Sequence, residues 1–239
     1  MCGMFLGKKG LNNVMQDRIT AVVPARRFDN KLNNRNLLPF NGCTLMQHKI
    51  RQLKKSDLIN EIVVSSEDEE VLELARQEGV TTIKRPNQYA DIKYPFGEFV
   101  EYICEQLVCE HILWACVTAP FVTEKCYDQA IELYLDMLEE GYDSLITVQK
   151  LKRFILDRNG TVNFKRGIFH KDSDELSDLF LFTNGIALAP RSKMIEWKYN
   201  WGHIPYMLEI DKKTGIDISE AYDYELARLI LEEEKRDGN

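Results

Sequence analysis

The chain has 239 residues, 44% of them hydrophobic and 29% charged, the balance of a soluble globular protein. At about 150 residues per domain it makes one large domain, or one domain with an arm, and it is long enough to bury a full core. Lys and Arg total 31 against 38 Asp and Glu, so the net charge is −7. That charge suits neither nucleic acid nor an anionic membrane, and no apolar run approaches the roughly 18 residues of a membrane span.

The first residues have too short an apolar stretch for a signal peptide, so residues 1–17 are expected to be a flexible tail and 18–239 the folded domain. Cys2, Cys43, Cys104, Cys109, Cys116 and Cys126 show no C-x-x-C spacing and read as reduced thiols of a cytoplasmic protein.

Ile19-Thr20-Ala21-Val22-Val23 is a β-branched run closed by Pro24. Thr44 is placed to cap a helix through about Lys54, with Leu45, Ile50 and Leu53 inward. Glu61-Ile62-Val63-Val64 reads as a second buried strand. Ser66 to Glu69 fits a capping box for a helix carrying Val71, Leu72, Leu74 and Ala75, stopped by Gly79. A third strand is expected over 80–83, a helix over 96–107, and a fourth strand over 111–117.

Thr123 starts a helix whose Tyr127, Ala130, Ile131, Tyr134 and Leu138 keep the 3.6 period until Gly141. Strands follow over 144–148 and 186–189, and Ser219 is expected to cap a last helix. Strands separated by helices of this length imply parallel β-α-β units, hence an α/β fold with a mostly parallel sheet. One segment breaks the rhythm: Phe154-Ile155-Leu156 and Thr161-Val162-Asn163-Phe164 flank Arg158-Asn159-Gly160, a turn signal. A protruding β-hairpin arm is expected there, within about 150–182.

Ligands of open α/β sheets sit at the carboxyl ends of the strands, and three loops there carry unusual residues. After the first strand, Arg26, Arg27, Lys31 and Arg35 place four cations within ten residues. Guanidinium forks in that position suit phosphate oxygens; a solvated basic loop is the other reading. G-x-x-x-x-G-K-[ST] and G-x-G-x-x-G are both missing. Before the last helix, Asp217 is a carboxylate at a sheet end facing that loop, the usual way to hold Mg²⁺, or simply part of a helix start. Thr183-Asn184-Gly185 offers an amide and a close backbone approach, or an ordinary turn. His48, His111, His170 and His203 are scattered and read as core or surface residues, and no Ser-His-Asp set or general base stands out.

In order and spacing these stretches resemble the CTP-dependent cytidylyltransferases that activate acidic keto-sugars, the CMP-sialic acid (acylneuraminate) and CMP-Kdo synthetases. The residues from Ala25 to Leu37 run at the length of A-R-x-x-S-K-G-[LI]-P-x-K-N-L. Val63 to Glu67 stands at V-V-S-T-D, and Arg85-Pro86 with Ala90-Asp91 at R-P-x-x-L-A-x-D. Val117 to Pro120 resembles Q-P-T-S-P, Thr183 to Ile186 resembles P-N-G-A, and Gly215 to Ser219 resembles S-I-D-I-D. The match covers about residues 19–232.

The resemblance implies a single Rossmann-like nucleotidyltransferase domain whose hairpin arm dimerises it. It implies transfer of CMP from CTP to a sialic-acid-like nonulosonic acid or Kdo, with release of pyrophosphate. Arg26, Lys31 and Arg35 would be catalytic through the triphosphate; Ala25, Arg26, Asn36 and Arg85 would bind nucleotide. Thr118 and Asn184 would face the acceptor, and Asp217 would hold Mg²⁺. Asp29, Asn30, Asn33, Cys116, Val122, Phe182 and Ser219 depart from the family pattern. Several departures lie on the acceptor side, so two alternatives stand beside the first. One is a nucleotidyltransferase for a phosphonate, phospho-alcohol or sugar phosphate; the other is a nucleotide-binding paralogue without turnover. The basic residues flanking the arm, Lys150, Lys152, Arg153, Lys165 and Arg166, are either a solvated rim or contacts for an anionic acceptor.

Overall fold

The structure, a computed structural model, describes residues 18–27, 31–168 and 170–237. The expected tail and Cys2, and within the first loop Phe28, Asp29 and Asn30, lie outside the described residues.

Seven strands form one sheet: β1 (Ile19–Pro24), β2 (Glu61–Ser66), β3 (Thr81–Lys84), β4 (His111–Trp114), β5 (Ser144–Leu151), β6 (Leu179–Pro190) and β7 (Pro205–Glu209). Their order is β7-β5-β6-β4-β1-β2-β3. β6 runs antiparallel to both neighbours, β4 and β5; every other pairing in the sheet is parallel. The helices are α1 (Leu45–Leu53), α2 (Glu69–Gln77), α3 (Phe96–Glu105), α4 (Glu124–Glu139), α5 (Arg191–Trp197) and α6 (Ala221–Asp237).

Both faces of the sheet are covered, which is why its strands read as near-continuous apolar runs. Ala21 and Val23 pack with α1, α2 and α4 residues such as Ile50, Val71 and Tyr127. Val22 between them points the other way, into Phe99, Ile103 and Met194 of α3 and α5. The period of two thus assigns each β1 residue to one layer.

The capping chemistry holds at α1, where Thr44 and Gln47 form a full capping box. It needs correcting at α2. β2 continues through Ser66, which pairs with Lys84, so the helix starts two residues later and Asp68 caps the Val71 N–H. The start of α6 is also different: Ser219 does not cap it. The Asp223 carboxylate reaches back to accept from the N–H groups of Ser219 and Glu220.

Four further differences follow. β4 stops at Trp114 instead of residue 117, leaving 116–118 to line a cleft. β6 spans twelve residues where four were expected, because its first part pairs with the far end of β5. That pairing is antiparallel because no crossover helix separates the two strands. α5 and β7 were not foreseen. The segment of the expected arm holds a minimal antiparallel ladder, Leu156–Asp157 with Gly160–Thr161, around Arg158 and Asn159.

Candidate functional site

The strand order reverses between β1 and β4, and ligands of such sheets bind at that crevice. A cleft of about 740 Å³ opens there, at the carboxyl ends of β1 and β4. Arg26, Lys31, Arg35, Asn36, Arg85, Thr118, Asn184 and Asp217 all line it. Segments far apart in sequence therefore converge on one site. Ala25 is the exception: its methyl is fully buried and its N–H bonds to the Ser65 carbonyl at 3.0 Å, so it supports the loop from beneath. Arg27 also turns away, to Asp68 and Glu70 on α2.

The loop after β1 is held by its own side chains. Asn36, nearly buried, donates from Nδ2 to the Arg26 carbonyl at 2.7 Å. Arg35 donates from Nη1 to the Ile218 carbonyl at 3.1 Å, tying the basic loop to the Asp217 segment. Arg85 is buried. Its Nε and Nη2 both donate to Glu67 Oε2, at 3.2 and 2.9 Å, and its guanidinium lies over the Phe99 ring. Burial pulls the Arg85 pKa down while the Glu67 charge opposes the shift. The second Glu67 oxygen accepts from the Arg27 N–H at 2.7 Å, so this carboxylate clamps the base of the phosphate-loop candidate.

On the opposite wall a β-bulge between Phe182 and Ala187 lifts Asn184 out of β6. Thr147 replaces the lost ladder bonds: its carbonyl accepts from Thr183 Oγ1 and its hydroxyl from the Ile186 N–H, both at 3.0 Å. Asn184 adopts a left-handed φ of 54°, and its Nδ2 donates to Asp217 Oδ2 at 3.0 Å. Asp217 is set from the other side as well, because the Ile218 N–H bonds to the Thr118 carbonyl at 2.8 Å.

Among the described residues no group of three or more His, Cys, Asp and Glu could hold a metal ion. Asp217 is a single hard oxygen donor beside cations suited to phosphate. That set fits Mg²⁺, which keeps waters and borrows phosphate oxygens, better than a metal needing a full protein cage. Of the departures from the family pattern, Cys116, Phe182 and Ser219 line the cleft, whereas Val122 is buried against Gly185. Burial, then the charge of Asp217, pushes the Cys116 thiol up to about 12, so it is a neutral wall residue.

Sequence reasoning missed the second half of the cleft. Tyr89, Tyr94, Phe96, Trp114 and Tyr199 line it with Asn200. The sequence marked Phe96 only as the start of a helix over 96–107. Nothing local marked Tyr199 and Asn200, which follow the unforeseen α5. Lys150 and Lys152 both pair with Asp178, at 2.7 and 2.6 Å, so these two rim cations have a protein partner.

A cationic loop at the switch point of an open sheet, facing a carboxylate across a cleft, places this chain among the open-sheet α/β domains with a cleft at the strand ends. More narrowly, the chain belongs to the cytidylyltransferase family, whose model matches residues 20–177. It is 24% identical over 229 residues to an N-acylneuraminate cytidylyltransferase of Escherichia coli, covering 93% of this chain and 54% of that protein. It is 27% identical over 120 residues to a pseudaminic acid cytidylyltransferase of Campylobacter jejuni, covering 48% of this chain and 52% of that one. The chain therefore spans about half the length of the curated relatives it matches.

The structure of a CMP:2-keto-3-deoxy-manno-octonic acid synthetase complexed with CTP aligns at a TM-score of 0.70 and 13% identity, over 91% of this chain and 100% of that one. A 4-diphosphocytidyl-2C-methyl-D-erythritol synthase from Anaerococcus prevotii aligns at 0.64 and 11% identity, over 93% of this chain and 100% of that one. At such identities these likenesses speak for the fold alone.

Proposed function

We propose that the protein transfers CMP from CTP to an acidic keto-sugar of the nonulosonic type, releasing pyrophosphate. The observation that carries this reading is the convergence of Arg26, Lys31 and Arg35 with Asp217 and Asn184 on one cleft. The names of the relatives, which act on N-acylneuraminate and pseudaminic acid, support the acceptor class.

In this reading an acceptor hydroxyl attacks the α-phosphorus of CTP in line, and the bond to the pyrophosphate oxygen breaks. Arg26, Lys31 and Arg35 spread the charge that accumulates on the leaving pyrophosphate. Asn36 keeps the loop in the shape that presents those cations. Bound Mg²⁺ supplies charge neutralisation on the phosphates, with Asp217 as its protein ligand. Asn184 orients Asp217 and borders the acceptor, with Thr118 beside it. Catalysis is then positioning and electrostatics, consistent with a cleft in which no Ser-His-Asp set is gathered. A homodimer joined through the arm belongs to the same proposal. Among the described residues no helix is long and apolar enough to cross a membrane.

The test is pyrophosphate release with CTP, Mg²⁺ and a panel of nonulosonic acids and Kdo, with the CTP-induced melting shift read in parallel. Release with one acid supports the reading. A CTP shift with no release overturns the acceptor class and leaves nucleotide binding standing.

A further inference from the structure

α1 turns three polar side chains, His48, Lys49 and Gln52, toward the segment that follows β4. Residues three and four apart are neighbours on a helix surface, so the three act together. Lys49 donates from Nζ to the Ala119 carbonyl, and Gln52 from Nε2 to the Pro120 carbonyl, both at 2.7 Å. His48 Nε2 pairs with the same Pro120 carbonyl at 3.1 Å. β4 ends at Trp114, so neither carbonyl has a strand ladder to enter, and buried carbonyls need donors.

Lys49 is the unexpected member of this set. It is fully buried, and its bonds go to a carbonyl and to the Tyr127 hydroxyl, not to a carboxylate. Burying an ammonium without a counter-charge is unfavourable, and an apolar side chain of similar length would fill the place more stably. Lys49 does not itself line the cleft, so it acts on the cleft only through what it holds.

What it holds is one corner of a closed ring of hydrogen bonds. The carbonyl before Ala119, that of Thr118, accepts from the Ile218 N–H at 2.8 Å. The Ile218 carbonyl accepts from Arg35 Nη1 at 3.1 Å. The loop that carries Arg35 returns to α1, where the Leu45 N–H donates to the Leu38 carbonyl at 2.9 Å. Asp217, next to Ile218, and Arg35 therefore take their relative placement from a frame whose buried corner is Lys49.

We propose that Lys49 is a positioning residue for the CMP transfer: it fixes the Ala119 turn and, through Thr118 and Ile218, sets the Asp217 carboxylate against the Arg35 guanidinium. The inference rests on the proposed reaction for its kinetic arm, while its structural arm stands on the geometry alone. A lysine that merely occupied the core would be improved on by methionine in every respect. A positioning lysine, replaced by methionine, leaves a molecule that is more stable overall yet looser at Ile218.

The experiment compares the full-length wild type with Lys49→Met, Lys49→Gln and Tyr127→Phe. Amide hydrogen exchange is read at Ile218, after correction for global stability from denaturation curves. In Lys49→Met that amide should exchange about tenfold faster or more, although the whole molecule unfolds no more readily. With a sugar acid that the wild type turns over, kcat should fall by about tenfold to 100-fold while the KM for CTP stays near its wild-type value, because Arg26 and Lys31 still meet the triphosphate. Lys49→Gln keeps an N–H donor on a shorter chain and should fall between methionine and wild type in both readings. Tyr127→Phe removes the other bond of the ammonium, leaves the Ala119 carbonyl paired, and should keep both readings near wild type. Unchanged protection of Ile218 in Lys49→Met overturns the positioning role, and so does an unchanged kcat. If the wild type releases pyrophosphate with no acid, the proposed reaction fails, and the exchange at Ile218 decides the frame by itself: lost protection supports it and retained protection overturns it.

Discussion

Asn184 Nδ2 and Asp217 Oδ2 lie 3.0 Å apart, joining the bulge of β6 to the segment before α6 across 33 residues of sequence. The bond engages one of the two Asp217 oxygens, and the proposed metal role falls to the other. Asp217→Asn preserves the bond, because an amide oxygen still accepts from Asn184, but it removes the charge. Turnover should fall on the order of 100-fold. The melting temperature should stay within about 2 °C. An unchanged Mg²⁺ titration in that variant would remove Asp217 from the metal role. Asn184 needs two variants. With φ at 54°, alanine should cost about 1–2 kcal/mol through backbone strain. Glycine keeps the conformation and removes only the amide. A variant that is stable to urea yet poorly active is the expected outcome for Asn184→Gly.

Arg85 of the cleft and Glu67 form a buried ion pair, with side chains 3% and 12% exposed. Glu67→Ala strands a buried guanidinium and releases the Arg27 N–H, so unfolding in urea should show a loss of about 3–5 kcal/mol. Combining Glu67→Ala with Arg85→Met removes both charges, and much of that loss should return. If the two substitutions simply add, the pair has no coupling and the clamp is not electrostatic. The CTP-induced melting shift should remain reduced even in the double variant, because the loop carrying Arg26 has lost its anchor at Arg27.

The layers of the fold were legible because apolar period and capping act locally. Ile19 to Val23, the Thr44 box and the stripe of α4 depend on neighbours a few residues away. What was not legible depends on distant partners. Ser66 looked like a cap until its pairing with Lys84 kept it in the strand. β7 is an edge strand given its register by β5, some sixty residues earlier, and Pro205 at its start hides it. For the site, charged residues at strand ends identified the half of the cleft lined by Arg26, Lys31, Arg35 and Asp217. The other half is built from rings and one amide whose residue types say nothing until α3 and α5 meet at Gly97.

The segment between β5 and β6 leaves apolar side chains in water: Leu156 is 64% exposed, Val162 52% and Ile168 93%. Phe154, Phe164 and His170 form one ring cluster beside them. Surfaces of this kind are usual at interfaces. Sedimentation at micromolar concentration should show a dimer, and Leu156→Asp combined with Ile168→Asp should shift it to monomer with the fold intact. A wild-type monomer would remove the arm from the dimerisation role.

Two bases desolvated on folding, the buried Lys49 and the half-buried His48, contribute to the pH dependence of stability. Lys49 is fully buried and donates to the Ala119 carbonyl and the Tyr127 hydroxyl, both at 2.7 Å. Desolvation lowers its pKa from 10.5 to about 7, with the Cys116 and Cys126 thiols opposing the shift. His48, next in the chain, is paired through Nε2 with the Pro120 carbonyl, and desolvation lowers it from 6.5 to about 4. For a base depressed on folding, the unfolded chain holds more protons between the two pKa values, so stability rises with pH across that interval. Lys49 therefore makes the protein more stable as pH climbs from about 7 to 10.5, and His48 makes it less stable as pH falls from 6.5 to about 4. Lys49→Met fills the same space without the charge. It should raise stability near neutral pH by about 1–4 kcal/mol and flatten the alkaline rise. Denaturation curves at pH values of about 5, 7 and 9 separate the two residues, because only the acid limb should survive in that variant. An alkaline limb that persists without Lys49 would mean that the buried ammonium is not what titrates.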